Sequence, residues 1–275
     1  MTRWAACIEY QGSNYYGWQT QEIEGKSVQP WVERALSKIA DRPIEVVCAG
    51  RTDTGVHATV QVVHFDTDVE RPARAWALGG NTHLPDDISF IWAVPVADDF
   101  SARFSARWRR YHYVFQNSTT RPAIASQHLT HIHNRLDLSA MARAARVLEG
   151  VHDFTSLRSS ACQAPNPVRD MHFVRLYQLG SLIVIDVQAN AFLHHMVRNI
   201  AGSLLAVGKG DRTVEWLGDV LQAKDRALAG VTAAANGLHL VGVGYEPSVV
   251  LPETLRFPPL SVGIVRPENR VWPAF

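Results

Sequence analysis

Cysteine is scarce in this 275-residue chain: Cys7, Cys48 and Cys162 form an odd, widely separated set with no pair at zinc-finger spacing. That pattern argues against a disulfide scaffold and a cysteine-based metal site, and reads as reduced thiols of a cytoplasmic protein. Long apolar runs are missing too. No stretch approaches the roughly 20 apolar residues that a membrane span requires, and Glu9 breaks the N-terminal apolar run before a signal-peptide core forms. A soluble protein without membrane attachment is therefore expected. Net charge is nearly absent as well, at +1, but one local absence says more. Residues 100–136 contain no acid, while Arg103, Arg107, Arg109, Arg110, Arg121 and Arg135 all fall there. Such a segment suits a polyanion held on one face, and equally a solvated strand and loop whose counter-charges come from elsewhere in the fold.

What is present is globular composition, 47% hydrophobic and 19% charged, at a length that fits two compact units. Trp4–Tyr10 reads as a strand, and Ser27 as the N-cap of the helix SVQPWVERALSKIA, whose Val28, Val32, Leu36 and Ile39 share a face. Pro30 is tolerated in its first turn. Strands IEVVC and TVQVVHF flank the turn AGRTDTGVHA; a short helix near Arg71–Leu78 and the strand DISFIWAVPV follow. The order is β-α-β-β-α-β. The second half repeats it: RYHYVFQN, a helix capped by Asp137 and ending on Gly150, strands VRDMHFVRLYQ and SLIVIDVQA around Gly180, helices AFLHHMVRNIAGSLLAVGKG and TVEWLGDVLQAK, and the strand GLHLVGVGY. The expected fold is thus α+β, two related ferredoxin-like (βαββαβ) units with mainly antiparallel sheets and a cleft between them. The N-terminal unit would span 1–100 and carry the aspartate turn, the C-terminal unit 101–250, and a proline-rich tail, 251–275, would be irregular.

The turn raises the chemical question. Asp53 in a glycine-flanked turn is, by itself, most simply a backbone cap. Arg51 lies two positions away on the same side of an extended segment, where a guanidinium keeps a carboxylate ionised and directed, as a nucleophile or general base needs. His57 reads as a structural histidine of the next strand. His194 and His195, adjacent in a helix, point to different faces and share no metal; no metal site is assigned. In RFSARWRRYHYVF, arginines interleave with aromatics, the chemistry that holds unstacked bases and their phosphates. Tyr113 and Phe115 read as core, and Tyr111, beside Arg109 and Arg110, as a stacking candidate. Arg198 interrupts an apolar helix and needs a charged partner. Ala201, Gly202 and Ser203 let that helix approach another element, and Asp53 is the expected partner.

The segments CAGRTDTGVHATVQVVHF, RRYHYVFQN, NAFLHHMVRNIAGSLL and EYQGSNYYGWQTQ together resemble the tRNA pseudouridine synthase A family, in order and spacing, from about Trp4 to Tyr245. The resemblance implies a cofactor-free homodimer that isomerises uridine to pseudouridine at positions 38–40 of the anticodon stem-loop of tRNA. It implies Asp53 as the catalytic aspartate, Tyr111 as the base-stacking tyrosine, Arg198 as the arginine pairing with that aspartate, and Arg51 as an arginine holding the flipped nucleotide. Leu238 matches an apolar residue lining the uracil pocket. Residues 100–104, with Arg103 and Phe104, and the neighbourhood of Gln163 resemble stretches that touch tRNA, and Arg109 and Arg110 join them as RNA-contacting candidates.

The sequence departs from the family at Gln11, where an aspartate is common, and in lacking an arginine just after Gln163. Two other classes compete. An RNA-binding module without chemistry would keep the basic segment but would not need Asp53 with Arg51 and Arg198. A nucleoside hydrolase would ordinarily use two placed carboxylates, and no second acid stands in a comparable motif.

Overall fold

The computed structural model describes residues 1–21 and 26–273. The chain divides into two compact units, Met1–Arg109 with Leu240–Arg256, and Arg110–His239 with Phe257–Phe275. Both are mixed α/β units on mostly antiparallel sheet.

In unit 1, β1 (Thr2–Tyr10) is followed by α1 (Val28–Ala40), a two-residue β2 (Val47–Cys48), β3 (His57–Thr67) and β4 (Ile88–Val96). β1 is central, antiparallel to β3 on one side and β4 on the other. Its run Ala5–Ile8 is almost wholly buried, as a strand covered on both faces requires. α1 buries Val28, Val32, Ala35 and Leu36 at the expected helical spacing. Ser27 occupies the N-cap position, but its side chain caps nothing. The first helical amides are met instead by loop carbonyls, Val28 N–H by Gly17 O and Gln29 N–H by Trp18 O, which removes the need for a side-chain cap. The short helix before β4 exists, with a π-helical centre at Ala75–Gly79.

Unit 2 contains β5 (Trp108–Asn117, from Arg110 onward), β6 (Thr130–Ile132), α2 (Leu138–Ala145), β7 (Gly150–Asp153), β8 (Val168–Leu179), β9 (Leu182–Ala189), α3 (Met196–Gly208) and α4 (Trp216–Ala223). The strand order is β5-β9-β8-β7, with β6 parallel to β5. Asp137 caps α2 as expected, accepting from Ala140 N–H at 2.8 Å. The helix proper stops at Ala145 and continues as a 3-10 turn, and Gly150 follows with φ of +96°, a conformation that favours glycine. Tyr113 and Phe115 are fully buried, and so are His112 and Val114 on the other side of β5.

Several expectations are corrected here. α3 begins at Met196, not at Ala191, because His195 adopts a left-handed conformation (φ 62°) that ends the preceding segment. His194 and His195 therefore precede the helix, and their rings pack together at 4.0 Å between centroids rather than pointing apart. The final strand, β10 (Leu238–Gly244), belongs to unit 1 from Leu240 onward, next to β3 in strand order. Apolar patterning identifies such a strand but carries no information on which strand it lies beside. The first unit thus extends to Arg109 and regains 240–256. The tail is ordered in pieces: Leu255 bridges to Gly242, α5 (Pro259–Val262) follows, and Ile264 packs with Val114, Tyr177 and Val184 in the core of unit 2.

Candidate active site

The aspartate turn joins β2 to β3 in unit 1 and is fixed at nearly every residue. Gln61, fully buried on β3, donates to Gly50 O at 2.5 Å and accepts from Gly50 N–H at 3.4 Å. Thr52 is buried and exchanges a hydrogen bond with the Tyr10 hydroxyl at 2.7 Å, while its carbonyl accepts from Trp18 N–H. Alternation along the extended segment therefore turns Thr52 inward and leaves Arg51 exposed and Asp53 half-buried. Val56 N–H returns to Asp53 O at 3.1 Å, closing a turn in which Gly55 has φ of +77°.

The N-terminal segment EYQGSNYYGW buttresses this turn. Gly55 N–H donates to Tyr15 O, and Gly12 N–H donates to His57 Nδ1 at 3.0 Å. That bond leaves Nδ1 unprotonated and gives buried His57 a structural task. Two glycines make the approach possible: a Cβ at Gly12 would collide with the Val56 carbonyl, and one at Gly17 (φ +89°) with the Thr52 carbonyl.

Arg109 ties the basic segment to the same turn. It is 9% exposed, and its guanidinium donates to Ala49 O at 3.2 and 2.8 Å, to Ala106 O at 3.1 Å and to Arg103 O at 2.7 Å. Its fork holds backbone. Arg103 and Phe104 are left at the surface, Phe104 80% exposed with the Arg103 guanidinium 5.1 Å from its ring centre. Tyr245 OH, donating to Ala102 O at 2.9 Å, pins this stretch from β10's side. Behind the turn, burial pushes the Cys48 thiol up to about 11, against the opposing influence of Arg51, so it is an inert thiol at neutral pH.

In unit 2, Tyr111 is buried and meets Phe192 edge-on, with centroids 5.0 Å apart at 84°. Arg110 next to it is engaged within the protein. It forms a two-point ion pair with the fully buried Asp186 at 2.7 and 2.6 Å, and lies between the rings of Phe173 and Phe257. Burial alone would raise the Asp186 carboxyl, but His112 and Arg110 outweigh it and hold it below the usual carboxylate range. His112 Nδ1 shares a hydrogen bond with Ser261 Oγ at 2.8 Å, which anchors α5. The acid that takes Arg110 lies 76 residues away in sequence.

Arg198 is placed by an exchange with one residue: its Nε–H donates to Ala233 O at 2.8 Å, and Ala233 N–H donates back to Arg198 O at 3.1 Å. The close neighbour expected from Ala201–Ser203 is this 230–233 loop. A Cβ on Gly202 would collide with the Val231 carbonyl, and Ser203 Oγ accepts from Gly230 N–H. Sequence reasoning missed Asn199, which is fully buried and donates to Leu157 O while accepting from Thr232 Oγ1 at 2.7 Å and Arg226 Nη2 at 3.1 Å. The signal available was a polar residue amid the apolar run of a buried helix. The same loop leads to Leu238, 5% exposed, behind Gly237, whose Cβ would meet Val114 O and the Tyr113 ring. Gln163 is exposed, in a segment joined to the stretch before α3 by Ser159 N–H donating to His194 O.

The chain has close relatives in sequence. A family model described as tRNA pseudouridine synthase matches residues 6–105 and 144–246, which takes in the aspartate turn, α3 and the loop before Leu238. The chain belongs to the tRNA pseudouridine synthase family. This is a family of isomerases, and similarity runs along nearly the whole chain. A tRNA pseudouridine synthase A of Pseudomonas aeruginosa is 53% identical over 264 residues, covering 96% of this chain and 93% of its own. Those of Photobacterium profundum and Shewanella amazonensis are 55% and 54% identical, covering 92% and 95% of this chain and 96% and 97% of theirs. Among solved structures, a Cbf5-Nop10-Gar1 complex overlaps 88% of this chain and 50% of the matched one at 11% identity and a TM-score of 0.34. No helix among the described residues is long and apolar enough to cross a membrane.

Proposed function

We propose that this protein converts uridine to pseudouridine in tRNA, at positions 38–40 of the anticodon stem-loop, with Asp53 as the catalytic carboxylate. The observation that carries the reading is the Asp53 turn itself: a half-buried carboxylate in a turn whose backbone is held by Gln61, Tyr15 and Trp18 and whose Thr52 side chain is held by Tyr10, in a member of an isomerase family. A carboxylate that must meet one sugar or base atom gains from such fixing.

The reaction breaks the bond from ribose C1′ to uracil N1 and makes one from C1′ to C5. C5 gives up its hydrogen as a proton, N1 acquires one, and nothing is oxidised or reduced. One carboxylate serves, by adding to the sugar or base to form an adduct, or by taking a sugar proton on a glycal route. The target base must first leave its stack. In this reading Tyr111 stacks on it, Leu238 lines its pocket, Arg198 pairs with Asp53, and exposed Arg51 holds the extruded nucleotide. Arg103, Phe104 and the Gln163 segment meet the RNA backbone, while Arg109 and Arg110 support that surface from within. The units are read as ferredoxin-like, the protein as a cytoplasmic homodimer, and the reaction as needing no cofactor.

Carbodiimide mapping of tRNA transcripts after incubation with the enzyme tests the site assignment. New stops confined to positions 38–40 support it; pseudouridine elsewhere, or none, overturns it.

A further inference from the structure

We propose that unit 2 carries a second RNA-contacting site, a notch on the outer edge of β8 that holds a backbone phosphate of the substrate RNA through Arg146, Arg175 and Arg270. The inference rests on the reading that the substrate is RNA, and it adds a contact made by residues other than those assigned to the uridine.

The notch follows from how the edge of β8 is covered. β7 pairs with its first residues, up to Met171 opposite Gly150. Farther along, the tail takes over: Arg270 bridges to Tyr177, and Val271 N–H donates to Leu176 O at 2.9 Å. Between the two no strand covers the edge, and a cavity of about 330 Å³ lies there, where Val174 and Leu176 of β8 are joined by Arg146, Glu149, Arg175 and Arg270. The free amide of the edge is already used, since Val174 N–H donates to the Glu149 carboxylate at 3.0 Å.

The arginines differ from those of this chain that are tied up in ion pairs. Arg3, Arg42, Arg107, Arg110 and Arg256 each have a carboxylate partner. Among the described residues, none lies within ion-pair distance of Arg146, Arg175 or Arg270. Two of the three are pre-oriented by aromatic rings: Arg175 lies 4.3 Å over Phe173, and Arg270 lies 3.9 Å over Trp272, itself 59% exposed. A guanidinium flat against a ring keeps its N–H edge available for a planar, two-point hold on phosphate oxygens. An exposed tryptophan beside it offers a face to a neighbouring base, the pairing of cation and aromatic that single-stranded RNA contacts use. Arg270 and Trp272 lie beyond the residues matched by the family model, so the notch is partly built by the tail.

The test is tRNA binding by wild type, Arg146→Glu and Arg270→Gln, measured by filter binding at low and moderate salt with thermal melts alongside. Arg146→Glu is expected to weaken binding by on the order of ten-fold and Arg270→Gln by a few-fold, each lowering the slope of log K against log salt by about one. Affinities within two-fold of wild type and unchanged slopes in both variants would overturn the notch. If Arg146→Glu melts early, Arg270→Gln decides by the same criterion. Tritium release from C5-labelled tRNA by the wild type is followed in parallel. Release with variants that bind like wild type overturns the notch alone; binding without release overturns the isomerase reading and leaves the notch to the affinity result.

Discussion

Replacing Gly202 by alanine adds one methyl group to α3, at the point where the helix touches the 230–233 loop. The added carbon would overlap the Val231 carbonyl and crowd Ala233 N, both backbone atoms that cannot rotate away. Either the loop retreats or the helix bends. Overpacking of this kind costs about 1–3 kcal/mol. A retreat also breaks the two bonds between Arg198 and Ala233, at about 1 kcal/mol each. Alanine's better helix propensity returns about 1 kcal/mol, so a net loss of about 2–4 kcal/mol is expected. For a chain of this size that is roughly 4–16 °C in Tm. The effect on turnover should exceed the effect on folding. Arg198 loses the acceptor that orients it, and a misplacement near 1 Å at a reacting centre costs about 100-fold. Thermal melts and kcat/KM on tRNA, measured on the same preparation, check both. A Gly202→Ala protein with wild-type Tm and wild-type kcat/KM would refute the claim that this contact positions Arg198.

Arg109→Lys should behave nearly as Arg109→Ala, each lowering kcat/KM at least ten-fold, because a single ammonium cannot span Ala49 O, Ala106 O and Arg103 O together; full rescue by lysine would contradict this. Burial lowers the pKa of His64, His112 and His128. With folded values below the unfolded one, near 6.5, their contribution is complete above about pH 6.5 and is lost as pH falls through the folded values. Urea midpoints should therefore fall from pH 7.5 to 5.5, and a flat profile would count against it. Arg110→Ala leaves Asp186 as a buried carboxylate with His112 as its remaining ionisable neighbour, and should cost about 3–5 kcal/mol, whereas Arg110→Ala with Asp186→Leu should recover much of the loss.

Local pattern made a large part of this protein legible. The face of α1, the cap at Asp137 and the buried pair Tyr113 and Phe115 follow from spacing and residue type alone. So does the close neighbour of Ala201–Ser203, though not its identity. What pattern missed was non-local. Arg110 looked available because its partner, Asp186, sits on β9, and Arg109 because its acceptors are carbonyls that any sequence possesses. β10 reads as a strand without saying which strand it lies beside. His195 breaks the helical run by a left-handed backbone that non-glycine residues seldom adopt. The positioning network of Asn199, Thr232 and Arg226 needs the 230–233 loop in place before its members become neighbours.

The most direct test of the central claim uses tRNA carrying tritium at uridine C5, with the wild type and with Asp53→Asn, an isosteric change that keeps the turn and removes the carboxylate. Release of tritium to water by the wild type, and none above background by Asp53→Asn with tRNA affinity within a few-fold of wild type, is the predicted result. Comparable release by both proteins would contradict the assignment of Asp53 as the catalytic group.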